Sequence, residues 1–290
     1  LRQPAQARRA YDKAFNNNPN DARLLYERDQ LWKRLGEKPQ KRLRELEKHP
    51  QLTLWRDDLS IELCALYNQT GQHEAAAGLL AERQFQPWEG GEGGPLAQHA
   101  RAQVALGRAA LMSQDFPLAK THFEFAFNAP HNLSEARHLL ANKSDIHFWL
   151  GCALSGLGKK DAARQHWLAA AKFKGDFQEM SVRAFSEMTY YSALSWEKLG
   201  QRAKARKLFR DLLAYGRKLQ KQPAKMDYFA TSLPTMLLFA DDLQFRQETT
   251  SLFLQGQAQL GLGQTAKARG LLRVVLRRDP NHALAADLLA

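Results

Sequence analysis

Apolar residues recur along the chain at the spacing of an amphipathic helix. A small residue is followed four positions later by a bulky one, and three positions after that by another small or apolar residue. This spacing places all three side chains on one face of an α-helix. The clearest instances are Ala7/Tyr11/Ala14, Ala119/Phe123/Ala126, Ala163/Trp167/Ala170 and Ala268/Leu272/Val275. The pattern predicts a chain built mainly of α-helices.

A glycine-containing turn precedes several of these helices by about five residues. The turns are Thr70-Gly71-Gln72, Leu157-Gly158-Lys159, Leu199-Gly200-Gln201 and Leu262-Gly263-Gln264. Upstream of the turns lie further predicted helices, which carry a small residue where two helices would cross, at Gly107, Gly151 and Gly256. We therefore predict an all-α, right-handed superhelical array of about six antiparallel helix pairs. It begins with an orphan second helix around Tyr11, which needs an apolar partner.

Two segments extend this pattern, Phe148-Trp149-Leu150-Gly151 and Asp279-Pro280-Asn281. Together with the unit of helix, glycine turn and helix, they resemble the tetratricopeptide repeat (TPR). The resemblance implies an α-solenoid that acts as a scaffold for protein partners. The repeat interval grows from 34 residues near the start to 63 between Ala205 and Ala268, which leaves room for an extra helix at 228–238.

A narrower resemblance rests on the motif Phe85-Gln86-Pro87-Trp88-Glu89-Gly90-Gly91-Glu92-Gly93. The motif is similar to one in a bacterial family whose repeat array follows an N-terminal β-rich domain of unknown function. That family has a weak association with carbohydrate metabolism. The first residue is Leu1 rather than Met, so we expect the C-terminal part of a longer bacterial protein. We predict TPR-like repeats at 1–87, a Trp/Gly-rich loop at 88–95, and repeats with longer helices and a terminal capping helix at 96–290.

The sequence contains no recognisable catalytic or metal-binding motif. Cys64 and Cys152 are 88 positions apart and have apolar neighbours, so we interpret both as packing residues. The nine histidines form no metal-ligand pattern. We therefore predict no enzyme activity in these residues, no cofactor and no metal. No apolar run reaches the roughly 18 residues of a membrane span. Two cysteines are too few for a disulfide framework, so we expect a reducing, cytoplasmic location.

The first helices of a TPR-like array line its inner surface, where binding partners usually lie. Aromatic residues and arginine are common anchors of such interfaces. The predicted partner-binding residues are Tyr26, Gln30, Tyr67, Asn68, Trp88, Glu89, Arg101, Arg108, Phe148, Tyr190 and Tyr191. Some of these side chains could instead pack between repeats, Phe148 above all. The Trp88 loop could be a shaped loop that closes one end of the groove, or a flexible connector.

Charge offers an alternative function. The formal net charge is +12, and residues 159–225 hold 16 basic and 6 acidic groups, a balance of +10. Such a block can bind nucleic acid or an acidic protein segment, although it can also be a solvated helix face. We therefore predict a protein or peptide partner on the concave face, or the N-terminal domain of the parent protein. The alternatives are nucleic-acid or acidic-partner binding through 159–225, and an accessory role for a carbohydrate-related enzyme.

Overall fold

The computed structural model describes residues 3–86, 91–173, 175–178, 181–224, 239 and 242–289. These residues form α-helices, one 3-10 turn at His131–Leu133 and one antiparallel hairpin of β1 (Asp176–Gln178) and β2 (Ser181–Arg183). The helices are α1 (Pro4–Asn17), α2 (Ala22–Arg34), α3 (Pro39–Glu47), α4 (Pro50–Trp55), α5 (Asp57–Gln69), α6 (His73–Glu82), α7 (Gly94–Met112), α8 (Phe116–Phe127), α9 (Ser144–Gly156), α10 (Lys160–Lys172), α11 (Thr189–Lys198), α12 (Arg202–Lys221), α13 (Leu243–Gly261), α14 (Thr265–Arg278) and α15 (Ala283–Leu289).

Consecutive helices pack on each other as pairs. Within the described residues the pairs are α2 with α3, α5 with α6, α7 with α8, α9 with α10, α11 with α12, and α13 with α14. Helix α1 precedes the first pair and packs on α2. The predicted all-α, TPR-like array is confirmed.

The turn between the two helices of a pair has one recurring geometry. At the end of α5, Gly71 adopts a left-handed φ of 81°, and the Gln72 N–H donates to the Tyr67 carbonyl at 2.8 Å. Glycine adopts this conformation without steric cost, and the hydrogen bond satisfies a carbonyl of the last helical turn. The α7 to α8 turn repeats the geometry with Gln114 at a φ of 62°. The glycine turns therefore reverse the chain between paired helices.

Small residues lie where paired helices approach most closely. A Cβ atom added to Gly107 of α7 would lie 2.5 Å from the Phe123 ring of α8. One added to Gly151 of α9 would lie 2.5 Å from the indole of Trp167 on α10. Phe123 is fully buried. The bulky residue of each pattern therefore fills the space that a missing side chain leaves on the facing helix.

The structure differs from the sequence prediction in several elements. The short helix α4 and the β1–β2 hairpin were not predicted, and the hairpin interrupts the otherwise helical 159–225 block. The orphan helix α1 does have partners, because Phe15 is buried against α2 and Tyr11 makes an edge contact with the Phe239 ring at 6.0 Å. The predicted helix at 228–238 lies outside the described residues.

We expect the substitution Gly107→Ala to destabilise the fold by about 1 to 3 kcal/mol, because the added methyl group overpacks the contact with Phe123. The matched control is Gly78→Ala in α6, where the added Cβ meets no atom within 4 Å. That change should stabilise the protein by roughly 0.5 to 1 kcal/mol through helix propensity. Urea unfolding followed by circular dichroism measures both. Equal effects of the two substitutions would contradict this account of helix crossing.

Candidate functional site

The first helices of successive pairs form one continuous layer. α5 contacts α7, α7 contacts α9, α9 contacts α11, and α11 contacts α13. In a curved array of helix pairs, the layer in which helices pack directly on each other lies on the inner side of the curve. We call the inner surface of these five helices the concave groove.

The C-terminal segment, residues 279–289, lies in the concave groove. It consists of a turn followed by α15, and α15 contacts both α14 and the distant helix α5. The Gln69 side chain of α5 donates from Nε2 to the Pro280 carbonyl at 3.1 Å, across 211 positions of sequence. The groove is thus occupied by the chain's own polypeptide.

Two arginines of α7 bind the helix of the C-terminal segment. Arg101 donates from Nε to Oδ2 of Asp287 at 3.0 Å and from Nη2 to Oδ1 at 2.7 Å, a fork that matches both carboxylate oxygens. The Arg101 Nη2 also donates to Oε1 of Gln69 at 2.8 Å. Arg108, about two turns further along α7, donates from Nη1 to the backbone carbonyl of Asp287 at 3.1 Å. One residue of α15 is therefore recognised by its side chain and by its backbone.

A buried arginine holds the other end of the C-terminal segment. Arg42 is 1% exposed and donates from Nη1 to Oδ1 of Asn281 at 2.7 Å. It also donates to Asp29 at 2.9 Å and to Glu62 at 2.8 Å. Burial alone would raise the pKa of Glu62, but Lys33 and Arg42 lower it to about 2. This charged cluster therefore joins α2, α3 and α5 to the turn before α15.

The apolar side of α15 continues the array. Ala285 is fully buried in a cluster with Phe253 of α13 and Leu272 of α14. Leu288 packs on the same cluster and also on the cluster that contains Tyr190. α15 thus packs on the last helix pair through its apolar side chains and faces Arg101 and Arg108 through Asp287.

Aromatic residues surround the arginine end of the groove. The Arg108 guanidinium lies over the Trp149 ring, 5.3 Å from its centroid. Tyr191 contacts the rings of Phe148 at 6.0 Å, Trp149 at 6.4 Å and Tyr190 at 5.3 Å. Burial raises the pKa of Tyr190 to about 12. Phe148 and Tyr190 are buried, so these two side chains pack between repeats and support the groove rather than line it.

Four other predicted residues make contacts within their own part of the array. Asn68 donates from Nδ2 to the Gln98 carbonyl at 3.1 Å, which links α5 to α7. Tyr67 lies in an open cleft of about 390 Å³ formed by α3, α4, α5 and α6. Tyr26 lies under the Arg56 guanidinium at 5.8 Å, and Gln30 is partly buried on α2. Arg101, Arg108 and Tyr191 are therefore the predicted residues that the structure brings together around α15.

The remaining predicted residues, Trp88 and Glu89, lie outside the described residues. Sequence analysis missed Arg42, Gln69 and Asp287. No repeat motif marks Arg42 or Gln69, since their role depends on where the far end of the chain lies. Asp287 did carry a signal, because it is the only charged residue among the alanines and leucines of α15.

The described part of the chain contains no group of three or more side chains arranged to hold a metal ion. Cys64 is buried and its thiol pKa is raised to about 12 by burial. Among the described helices, none is both long and apolar enough to cross a membrane.

Comparison with known proteins identifies the repeat. The tetratricopeptide-repeat family model matches residues 188–215, which cover α11 and the start of α12, and residues 250–282, which cover most of α13 and all of α14. A solved structure to which the chain is similar is the TPR domain of P58(IPK), with 14% identity, 98% of this chain and 70% of that chain covered, and a TM-score of 0.32. The family-model match identifies TPR units in the pairs α11–α12 and α13–α14.

The charged cluster at Arg42 makes a pH-dependent contribution to stability. The pKa of Glu62 is about 2 in the folded protein against its usual 4.5, so ionised Glu62 stabilises the fold above about pH 4.5. This contribution is lost as the pH falls toward 2. We expect Glu62→Gln to lower stability at pH 7 and to lose less stability than the unaltered chain between pH 5 and pH 3. Urea midpoints at the three pH values test this, and an identical pH dependence would contradict it.

Proposed function

We propose that the chain is a non-catalytic protein–protein interaction scaffold that binds a polypeptide segment of its partner in the concave groove. The observation that carries the proposal is the pair Arg101 and Arg108, which both reach a helix lying in that groove. Arginine and aromatic side chains are typical interface anchors, and Trp149 and Tyr191 adjoin the pair. TPR arrays bind protein partners as a class, which supports the same function.

The finer identity of the protein also remains a proposal. The motif around Trp88 supports membership of the bacterial family with an N-terminal β-rich domain, and the small number of cysteines supports a cytoplasmic location. The N-terminal domain of the parent protein is then one possible partner of the groove. An accessory role for a carbohydrate-related enzyme rests on that resemblance alone.

A second candidate function rests on α12. Exposed basic side chains recur on one stripe of this helix at intervals of four or seven residues, at Arg202, Arg206, Arg210, Arg217 and Lys221. Residues at these intervals share one helix face. The acidic side chain of α12, Asp211, is paired with Lys207 at 2.7 Å. The stripe supports binding of an acidic protein segment or of nucleic acid.

The scaffold function is tested by selecting peptides from a random library displayed on phage against the full chain. We expect the selected peptides to lose at least about tenfold in affinity when Arg101→Ala is added to an Asp287→Ala chain, in which α15 no longer pairs with Arg101, because one charge-assisted pair is worth about 1.5 kcal/mol or more. The matched control adds Arg206→Ala, on the exposed stripe of α12, to the same Asp287→Ala chain and should bind the peptides unchanged. Fluorescence anisotropy measures the affinities. Selected peptides that bind all three proteins equally would contradict the proposed groove.

A further inference from the structure

The chain's own helix shows what the concave groove accepts. We propose that the partner segment is an amphipathic helix with an acidic residue, a small residue two positions before it and a leucine directly after it, and that α15 competes with this partner for the groove. In α15 these positions are Asp287, Ala285 and Leu288. The inference rests on the proposed scaffold function and specifies its partner.

The acidic position follows from the geometry at Arg101. The guanidinium donates through Nε and Nη2 to both oxygens of Asp287, and its side chain is only 10% exposed. A planar fork of this kind matches a carboxylate, whereas a lysine would supply a single point charge. A buried arginine without an anionic partner is costly, so the groove selects an acid at this position.

The helical form of the partner follows from Arg108. Its Nη1 donates to the Asp287 backbone carbonyl, which lies in the last turn of α15. Carbonyls of the last helical turn lack partners within the helix and carry partial negative charge. The carbonyl that accepts from Arg108 belongs to a helix, so an arginine placed there favours a helical partner over an extended peptide.

The small and apolar positions follow from the packing of α15. Ala285 is fully buried between α13 and α14, where a larger side chain would meet Phe253 and Leu272. Leu288 fills the space between this cluster and the one around Tyr190. A partner helix therefore needs a small side chain and a leucine three positions apart, which lie on one helix face.

The C-terminal segment fits the concave groove incompletely, so a partner helix can replace it there. Ala285 is the one fully buried residue of α15 among those described. The buried Nδ2 of Asn281 and the buried Nε1 of Trp149 have no hydrogen-bond partner among the described residues. An unsatisfied buried donor is costly. A partner that supplies an acceptor for Nε1 of Trp149 gains a hydrogen bond that α15 does not make, and displacing the segment also removes the unsatisfied Nδ2 of Asn281 from the groove.

Because α15 is part of the same chain, its effective concentration at the groove is high, and a separate partner has to compete against it. The experiment therefore weakens the internal contact and supplies the same helix as a separate peptide. The probe is a fluorescein-labelled peptide with the sequence of residues 279–289, acetylated and amidated at its ends. The proteins are the full unaltered chain and the Asp287→Asn variant, which keeps the shape of the side chain and removes its charge.

We expect the Asp287→Asn variant to bind the peptide at least about tenfold more tightly than the unaltered chain does. A peptide with asparagine in place of its aspartate should lose about tenfold in affinity for that variant. Adding Arg101→Lys to the Asp287→Asn variant should also lower its affinity for the unaltered peptide about tenfold, since lysine cannot form the fork. The matched control Asp211→Asn, on exposed α12, should bind the peptide as weakly as the unaltered chain.

Two results would overturn the proposal. One is equal binding of the peptide by the unaltered chain and by a folded Asp287→Asn variant. The other is an unaltered chain that sediments as a dimer while the variant is a monomer, because α15 then occupies the groove of a second copy. If this peptide does not bind but phage-selected peptides bind through Arg101, the scaffold function stands and the acidic helix is the wrong partner class.

Discussion

The pairing of Arg101 with Asp287 joins two parts of the chain that lie 186 positions apart. A solenoid is stabilised mainly by contacts between neighbouring repeats, so its ends are free to move unless another contact joins them. Here the C-terminal segment supplies that contact, since it reaches Arg42 and Gln69 as well as Arg101. The segment therefore links α3, α5 and α7 to the last helix pair.

The same segment therefore occupies the concave groove and connects the early helices to the last pair. Arg42 has both roles too, because its buried charge is paired with Asp29 and Glu62 while its Nη1 donates to Asn281 of the segment. A ligand that displaces the segment has to replace these contacts, or the two ends of the array separate.

The sequence predicted what depends on local pattern. The small and bulky residues at Gly107 and Phe123, together with the glycine turns, identified the helix pairs because each pair is built from residues close in sequence. The groove was predicted less well. Arg101 and Arg108 lie on a first helix, as predicted, but their contact with Asp287 depends on small rotations summed over several repeats. The spacing of residues along the sequence does not reveal this summed rotation.

The orientation of a helix within its pair also explains where the predicted residues Asn68 and Tyr67 lie. Asn68 and Tyr67 lie on a first helix, yet Asn68 is used to hold α7 through Gln98 and Tyr67 faces a cleft among α3 to α6. Their roles depend on the rotation of α5 about its own axis within the pair. The short helix α4, which the repeat pattern does not contain, adds further packing on that side.

The central claim is that α15 lies in the concave groove and is held there by Arg101. A double-mutant cycle with Arg101→Ala and Asp287→Ala in the full chain tests it most directly, with stability measured by urea unfolding. Residues in direct contact couple by about 0.5 to 3 kcal/mol, so the double variant should be less destabilised than the sum of the single variants by at least that lower amount. Strict additivity of the two substitutions would place Asp287 away from Arg101 and contradict the account.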